Sequence, residues 1–422
     1  TSGLSALRAA TRALRRGRLD CALVGAVDLS GDVRSLLSVP ITEGFSADGV
    51  SNFFETGVGG IVPSDGAVAL VLKRERDARR DGDRIYAIVR GIGSAVGDGK
   101  QAGEQAVRRG CEAAGVSPPD AFNGCEDRVG HVGAAAGLVS VLGATLSLYH
   151  QMLPPVGTGR PGSGDPELTR WAEPRPWVRD RIDGPRRAGV LSVGRLGTCA
   201  YVVLEESDVG ARSDDLAQPL GPMPEGLFVV EADDPGGLAV GLRSLAVFAS
   251  DAEDRLVAPL AESWWRAWPL RPEALLAVTL LARDAAELKS LAGTAADQMD
   301  RGSDPSDRSV SRIFFARQPL GPRGELAYVY PGSGSQFNGM GREACLQWPW
   351  VLRTQDRTND RLGSQLVADS IWGGDAAGLT DVRAVILSQV ALGAIATDLM
   401  AGFGVRPDAV VGYSLGETSG LV

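Results

Sequence analysis

Ser414 stands in Gly412-Tyr413-Ser414-Leu415-Gly416, directly after the apolar run Ala409-Val410-Val411. Glycines two residues to either side of a serine suit a tight strand-to-helix turn, which lifts the hydroxyl clear of the backbone as a nucleophile. The N-terminus of the helix behind it offers N–H groups to an oxyanion developing on an attacked carbonyl. A serine nucleophile also needs a base. Only Leu415 to Val422 follow it, without a histidine, and both histidines of the chain, His131 and His150, lie far upstream. A triad of the usual hydrolase order, with acid and histidine after the serine, therefore cannot be assembled. His131 is the second candidate, bracketed by Gly130 and Gly133. Two histidines and five cysteines without C-x-x-C spacing argue against a metal site.

The elements that must hold these residues read as alternating helices and strands. Thr1 to Gly17 has Leu4, Leu7, Ala10 and Leu14 near helical spacing. Cys21 to Val27 is a continuous apolar run, predicting a strand buried on both faces. Ala67–Leu72 and Ile85–Arg90 are two further strands across a charged turn. Helices follow at Glu104–Ala114 and Ala134–His150, then a strand pair at Gly189–Val193 and Ala200–Leu204. After a polar connector, Ser207 to Met223, a small α/β pattern carries strands at Leu227–Val230, Leu275–Leu281 and Arg312–Ala316. Its helices are Leu238–Phe248, one carrying Trp264-Trp265 as core anchors, and Ala285–Gln298. Leu326–Tyr330 then runs as a strand into the glycine-rich turn Pro331-Gly-Ser-Gly-Ser-Gln336. A long apolar helix, Asp381–Met400, leads to the Ser414 strand.

Composition bounds the possibilities. The 422 residues are 44% hydrophobic and 23% charged, suited to two or three layered α/β domains. A net charge of −9 argues against nucleic acid or an anionic membrane surface as partner. Neither a signal peptide nor an uninterrupted apolar run of about 20 residues is evident, so no membrane span is expected. Cys21, Cys111, Cys125, Cys199 and Cys345 lack disulfide density, which suits a reducing, cytoplasmic setting. Cys21 and Cys199 read as packing residues and Cys125 as a buried or loop thiol.

Tyr328-Val-Tyr-Pro-Gly-Ser-Gly-Ser-Gln-Phe-Asn-Gly-Met-Gly341, followed about 80 residues later by Gly404-Val-Arg-Pro-Asp-Ala-Val-Val-Gly-Tyr-Ser-Leu-Gly-Glu417, resembles the start of a polyketide or fatty acid synthase acyltransferase. The resemblance implies that Ser414 carries an acyl group as an ester and that the Leu415 N–H helps to form the oxyanion hole. Ser333 and Gln336 lie on the turn that supplies further donors. Ser333 replaces the glutamine of the family's Gly-Gln-Gly, and Tyr413 replaces the common histidine before the serine. That tyrosine is similar to the branch of iterative polyunsaturated-fatty-acid and glycolipid-type synthases. The family's catalytic histidine and carboxylate-binding arginine would fall beyond Val422.

The first 206 or so residues resemble the rear part of a ketosynthase. Thr1-Ser-Gly-Leu-Ser-Ala-Leu7 is similar to the segment after the nucleophilic cysteine, Val129-Gly-His-Val-Gly-Ala-Ala-Ala-Gly137 to the second-histidine motif with His131 as its histidine, and Gly197–Leu204 to the closing strand. Two departures stand out. A His-Gly-Thr-Gly-Thr motif is missing from the short interval between Ala114 and Gly130, and Glu126 occupies the place of a lysine. One reading is a fragment or ordered subset of a multienzyme. The other is a degenerate, chain-length-factor-like condensing domain that acts as a scaffold. The elbow alone also leaves a serine hydrolase open.

The resemblance implies an α/β chain in three parts. These are the C-terminal part of a thiolase-like ketosynthase domain over 1–206, a connector and small α/β linker domain over 207–322, and the N-terminal part of a malonyl/acyltransferase domain over 323–422. It implies no directly bound cofactor. Malonyl- or acyl-coenzyme A would be substrate, an acyl carrier protein bearing phosphopantetheine the partner, and the ketosynthase the site of homodimerisation.

Overall fold

A computed structural model of the chain describes residues 2–29, 33, 37, 44–46, 61–119, 129–155, 174–194, 197–208, 219–221, 223–251, 256–271, 273–306, 312–321, 324–372 and 381–421. Cys125 and Glu126 lie outside them. The first stretch runs α1 (Ser2–Arg15), β1 (Cys21–Asp28), β2 (Gly66–Lys73), α2 (Glu75–Asp81), β3 (Ile88–Val96), α3 (Gly99–Ala114), α4 (Ala136–His150), β4 (Met152–Leu153), β5 (Arg175–Pro176), β6 (Arg187–Val193) and β7 (Thr198–Glu205). β1 and β2 pair antiparallel from Cys21 opposite Lys73 to Asp28 opposite Gly66. β3, β7 and β6 form a second antiparallel sheet with β7 in the middle.

β7 is buried from Cys199 to Glu205. Its alternate residues serve two cores, as a two-residue side-chain period requires. Cys199, Tyr201 and Val203 meet Ala102, Ala106 and Cys111 of α3 on one face. Ala200, Val202 and Leu204 meet Leu138, Val141 and Leu148 of α4, with Leu4 and Leu7 of α1, on the other. A helix–sheet–helix sandwich results, and Cys199 is the packing residue its sequence suggests.

β1 departs from expectation. Cys21 is exposed, and Leu23 and Val27 are 74% and 62% exposed, while Val24 is buried. An all-apolar run hides its own alternation, and among the described residues this two-stranded sheet sends its buried Val24 and Val68 to the core of α1 and α4. The charged turn after β2 is likewise a helix, α2. An Arg79–Glu75 pair four residues apart spans it, and Gly82 closes it in the left-handed region (φ 69°). β3 starts three residues later than the apolar run and continues to Val96.

The middle stretch contains β8 (Gly226–Ala232), α5 (Pro235–Ser250), α6 (Val257–Ala267), β9 (Leu276–Ala282), α7 (Ala285–Asp300) and β10 (Ile313–Arg317). Its antiparallel sheet has the order β10-β9-β8. Asp234 and Asp284 cap α5 and α7 by accepting from the N–H groups of Gly237 (2.9 Å) and Glu287 (2.7 Å). Phe228, Leu238, Leu242, Leu280 and Leu288 form the core. Trp264 anchors it, with its indole N–H donating to the Val229 carbonyl at 2.9 Å and its ring stacked on Trp268 at 4.0 Å. Trp265 does not share that role and is 55% exposed, because adjacent helical residues point about 100° apart.

The last stretch runs β11 (Ala327–Tyr330), four short helices α8 (Arg342–Gln347), α9 (Trp350–Thr358), α10 (Leu362–Gln365) and α11 (Ala368–Trp372), then α12 (Val382–Gly402), β12 (Ala409–Gly412) and α13 (Leu415–Ser419). By length and hydropathy alone, 133–150 and 382–402 match a membrane span. Both nevertheless bury side chains in the protein, Leu138 and Val141 in one, Val385 and Leu392 in the other.

Two compact units emerge: Thr1–Leu216 with Ser333–Asp398, and Ala217–Gly332 with Leu399–Val422. The first is tied internally by a buried cation. Arg186, 2% exposed, donates from Nη1 to Glu206 at 2.9 Å and to Asp356 of α9 at 3.1 Å.

Candidate functional site

In the second unit β11 and β12 lie side by side and parallel, Ala327 opposite Ala409 and Tyr330 opposite Gly412. The pairing is fixed at its start by the Asp408 carboxylate, which accepts from the Leu326 N–H at 2.8 Å, and by the Tyr328 hydroxyl, which donates to the Val405 carbonyl at 2.8 Å. Parallel strands place their C-terminal ends together, where open α/β sheets carry their sites. Pro331-Gly332 leaves one strand end and the Ser414 elbow leaves the other.

Ser414 has φ 53° and ψ −113°. It is one of three non-glycine residues at positive φ among those described, and such strain persists only where the surroundings enforce it. They do so through the flanking glycines. A side chain on Gly412 would begin 2.5 Å from the Glu417 nitrogen, and one on Gly416 2.6 Å from the Tyr330 carbonyl carbon. The helix thus lies directly on the ends of both strands. The Tyr413 N–H donates to the Tyr330 carbonyl at 3.1 Å, Gly416 N–H to Tyr413 at 2.9 Å and Glu417 N–H to Ser414 at 3.0 Å. Ser414 is exposed. Leu415 opens α13, so its N–H belongs to the first turn, which intrahelical bonding leaves unused.

Ser333 and Gln336 belong to the first unit. Ser333 is exposed on the glycine-rich turn. The Gln336 side chain closes that turn, its Oε1 accepting from the Gly334 N–H at 2.8 Å, with Gly334 at φ 102°.

His131 is half-buried on the loop before α4. Its N–H donates to the Val62 carbonyl at 2.7 Å and its carbonyl accepts from Ser64 N–H at 3.2 Å, a short bridge of strand type. Three residues on, the Ala134 N–H donates to Oδ2 of Asp28 at 2.7 Å. Ser2–Leu4 of α1 lies against the first turn of α4: a side chain on Gly3 would begin 2.7 Å from Leu138 Cγ, and one on Gly137 2.8 Å from Leu4 Cγ. The start of α1 and the His131 loop are therefore neighbours.

Spacing does not single out Asp28, although an aspartate closing an apolar strand is the available signal. Gly332 and Asp408 escape sequence reasoning because their roles exist only once β11 and β12 pair. Among the cysteines, burial pushes Cys111 and Cys199 up and Cys345 up to about 12, so none of these three is a ready nucleophile. Among the described residues no cluster of three potential metal ligands occurs.

Comparison with known proteins supplies two family matches. Residues 1–78 match the beta-ketoacyl synthase N-terminal domain, and residues 327–422 match the acyl transferase domain. The chain is similar to a phenolphthiocerol/phthiocerol polyketide synthase of Mycobacterium tuberculosis, 27% identical over 490 positions covering 100% of this chain and 25% of that protein. It is also similar to a mycocerosic acid synthase-like polyketide synthase of M. tuberculosis, 29% identical over 480 positions covering 100% of this chain and 22% of the relative. The chain thus spans about a quarter of the length of these curated relatives. Alignments longer than 422 residues mean that the relatives carry residues this chain lacks. A cysteine-to-serine variant of the ketosynthase from module 6 of the bacillaene synthase of Bacillus subtilis 168 superposes with a TM-score of 0.43 at 24% identity, covering 75% of this chain and 60% of that one.

Proposed function

We propose, for a chain that joins ketosynthase and acyltransferase segments of the polyketide synthase family, that it serves a synthase which loads acyl units onto a carrier and condenses them with loss of carbon dioxide. Ser414 is the loading nucleophile. Its Oγ attacks the thioester carbonyl of malonyl- or another acyl-coenzyme A, the C–S bond breaks, and the hydroxyl proton ends on the departing thiol. The serine ester then passes its acyl group to the phosphopantetheine thiol of an acyl carrier protein, regenerating the hydroxyl. Leu415 N–H at the helix start, with Ser333 and Gln336 on the glycine-rich turn, are the assigned groups for the oxyanion and substrate. His131 donates toward the extender thioester oxygen as carbon dioxide leaves.

The observation that carries the loading step is the strained Ser414 between two glycines that tolerate no side chain, on a strand parallel to the one ending in Pro331-Gly332. The three-part division at 206/207 and 322/323, a homodimer through the ketosynthase part and a cytoplasmic location belong to the same proposal. Incubating the full-length protein with malonyl-coenzyme A and mapping the added mass tests it. The adduct is expected on the peptide containing Ser414 and absent from Ser414→Ala. A persistent adduct elsewhere in 327–422 would refute the assignment.

A further inference from the structure

Tyr413 is 77% exposed, yet one edge of its ring is occupied. A side chain on Gly332 would begin 2.8 Å from Cδ1 and 3.2 Å from Cε1 of that ring, and 3.1 Å from the Tyr413 carbonyl oxygen. The ring therefore lies across the backbone of Gly332, the residue that follows the end of β11 by two positions. The Tyr413 N–H is tied to the same strand end, donating to the Tyr330 carbonyl. Backbone and ring of one residue thus both contact the end of β11. So exposed a ring contributes little to a hydrophobic core, and the residue it precedes is the strained Ser414.

The geometry points to Tyr413 as a positioning residue: by bracing its ring on Gly332 it holds Ser414 in the strained positive-φ conformation (φ 53°, ψ −113°) from which the hydroxyl attacks. Strain of this kind relaxes unless neighbouring contacts over-determine it, and the brace is one such contact. A backbone displaced by about 1 Å at a reacting group costs on the order of 100-fold in rate. The inference rests on Ser414 being the acyl-carrying nucleophile.

The test measures malonyl loading of the full-length protein as separate kcat and KM values, with thermal midpoints alongside. Tyr413→Ala is expected to lower kcat at least about 10-fold with KM and the midpoint nearly unchanged. Tyr413→Phe keeps the ring and should stay within about 2-fold of wild type. Gly332→Ala should also lower kcat, and its added loss should shrink in the Tyr413→Ala background, because the clash with the ring is gone and only the 3.1 Å approach to the residue-413 carbonyl oxygen remains. An unchanged kcat in Tyr413→Ala, a loss in Tyr413→Phe as large as in Tyr413→Ala, or additive losses in the double variant would overturn the brace. Ser414→Ala separates the two levels: if it still loads, the underlying reading fails, whereas if it is silent and Tyr413→Ala is normal, only the brace fails.

Discussion

Gly416→Ala should disable acyl loading by displacement alone, without touching the nucleophile. The new methyl would sit 2.6 Å from the Tyr330 carbonyl carbon, nearer still to its oxygen, and 2.9 Å from the Pro331 oxygen, where ordinary contact begins at 3.4 Å. All of these are backbone atoms, so no side chain can swing aside. Either α13 lifts away from β11 or the strand end yields, in both cases by roughly 1 Å, and the elbow carrying Ser414 moves with it. A misplacement of that size is worth about 100-fold in rate, or about 2.7 kcal/mol of barrier. Gly420→Ala is the matched control. Its methyl would meet a side-chain methyl of Val410 at 2.9 Å and comes no nearer than 3.4 Å to backbone, so the shift it demands is smaller and falls on a side chain that is 46% exposed. Time-resolved intact-mass measurement of malonyl loading on the full-length protein reads both. Wild-type loading by Gly416→Ala, or equal losses in the two variants, would refute the claim that the glycine is required by close approach.

Arg186→Met should strand the Glu206 and Asp356 carboxylates in a buried setting and cost about 3–5 kcal/mol in denaturant titration, and a loss below about 1 kcal/mol would show that the cation does not hold α9. The third expectation concerns pH. Hydrogen bonds from the Arg283 side chain hold the Glu287 carboxylate below its ordinary value of 4.5. A depressed carboxylate stabilises the fold above the unfolded value and loses that contribution as pH falls through the folded one. Glu287→Gln should therefore be less stable than wild type at pH 7, with the gap closing as the medium is acidified below about 4, and a gap independent of pH would exclude the ion-pair origin.

Apolar period and punctuation reveal the helices at 136–150, 235–250, 285–300 and 382–402 and the strands between them, because each has a long run of one pattern. Burial on one face or two is not legible. Cys21–Val27 and the β7 run look alike in composition, but among the described residues only β7 has helices against both faces. α2 is hidden because seven residues with a single alanine as their apolar content show no stripe. At the site, Ser414 and its glycines are visible as a local pattern. The fastening of that pattern to residues about 80 positions earlier, through Asp408, Tyr328 and the Tyr413 ring, depends on strand register, which spacing does not encode.

The parallel pairing of β11 with β12 also sets a timetable. At ordinary rates of synthesis, about 5–20 residues per second, β11 emerges roughly 4–16 seconds before the strand it must pair with. Ser414 follows β12 by two residues, so it is made only at the end of that interval and takes up its strained geometry only once the two strands pair. That geometry is then the last local feature of this segment to form, made by closure of a loop of about 80 residues. Until β12 arrives, β11 stands with its backbone groups unpaired, the kind of strand edge that invites pairing with another chain.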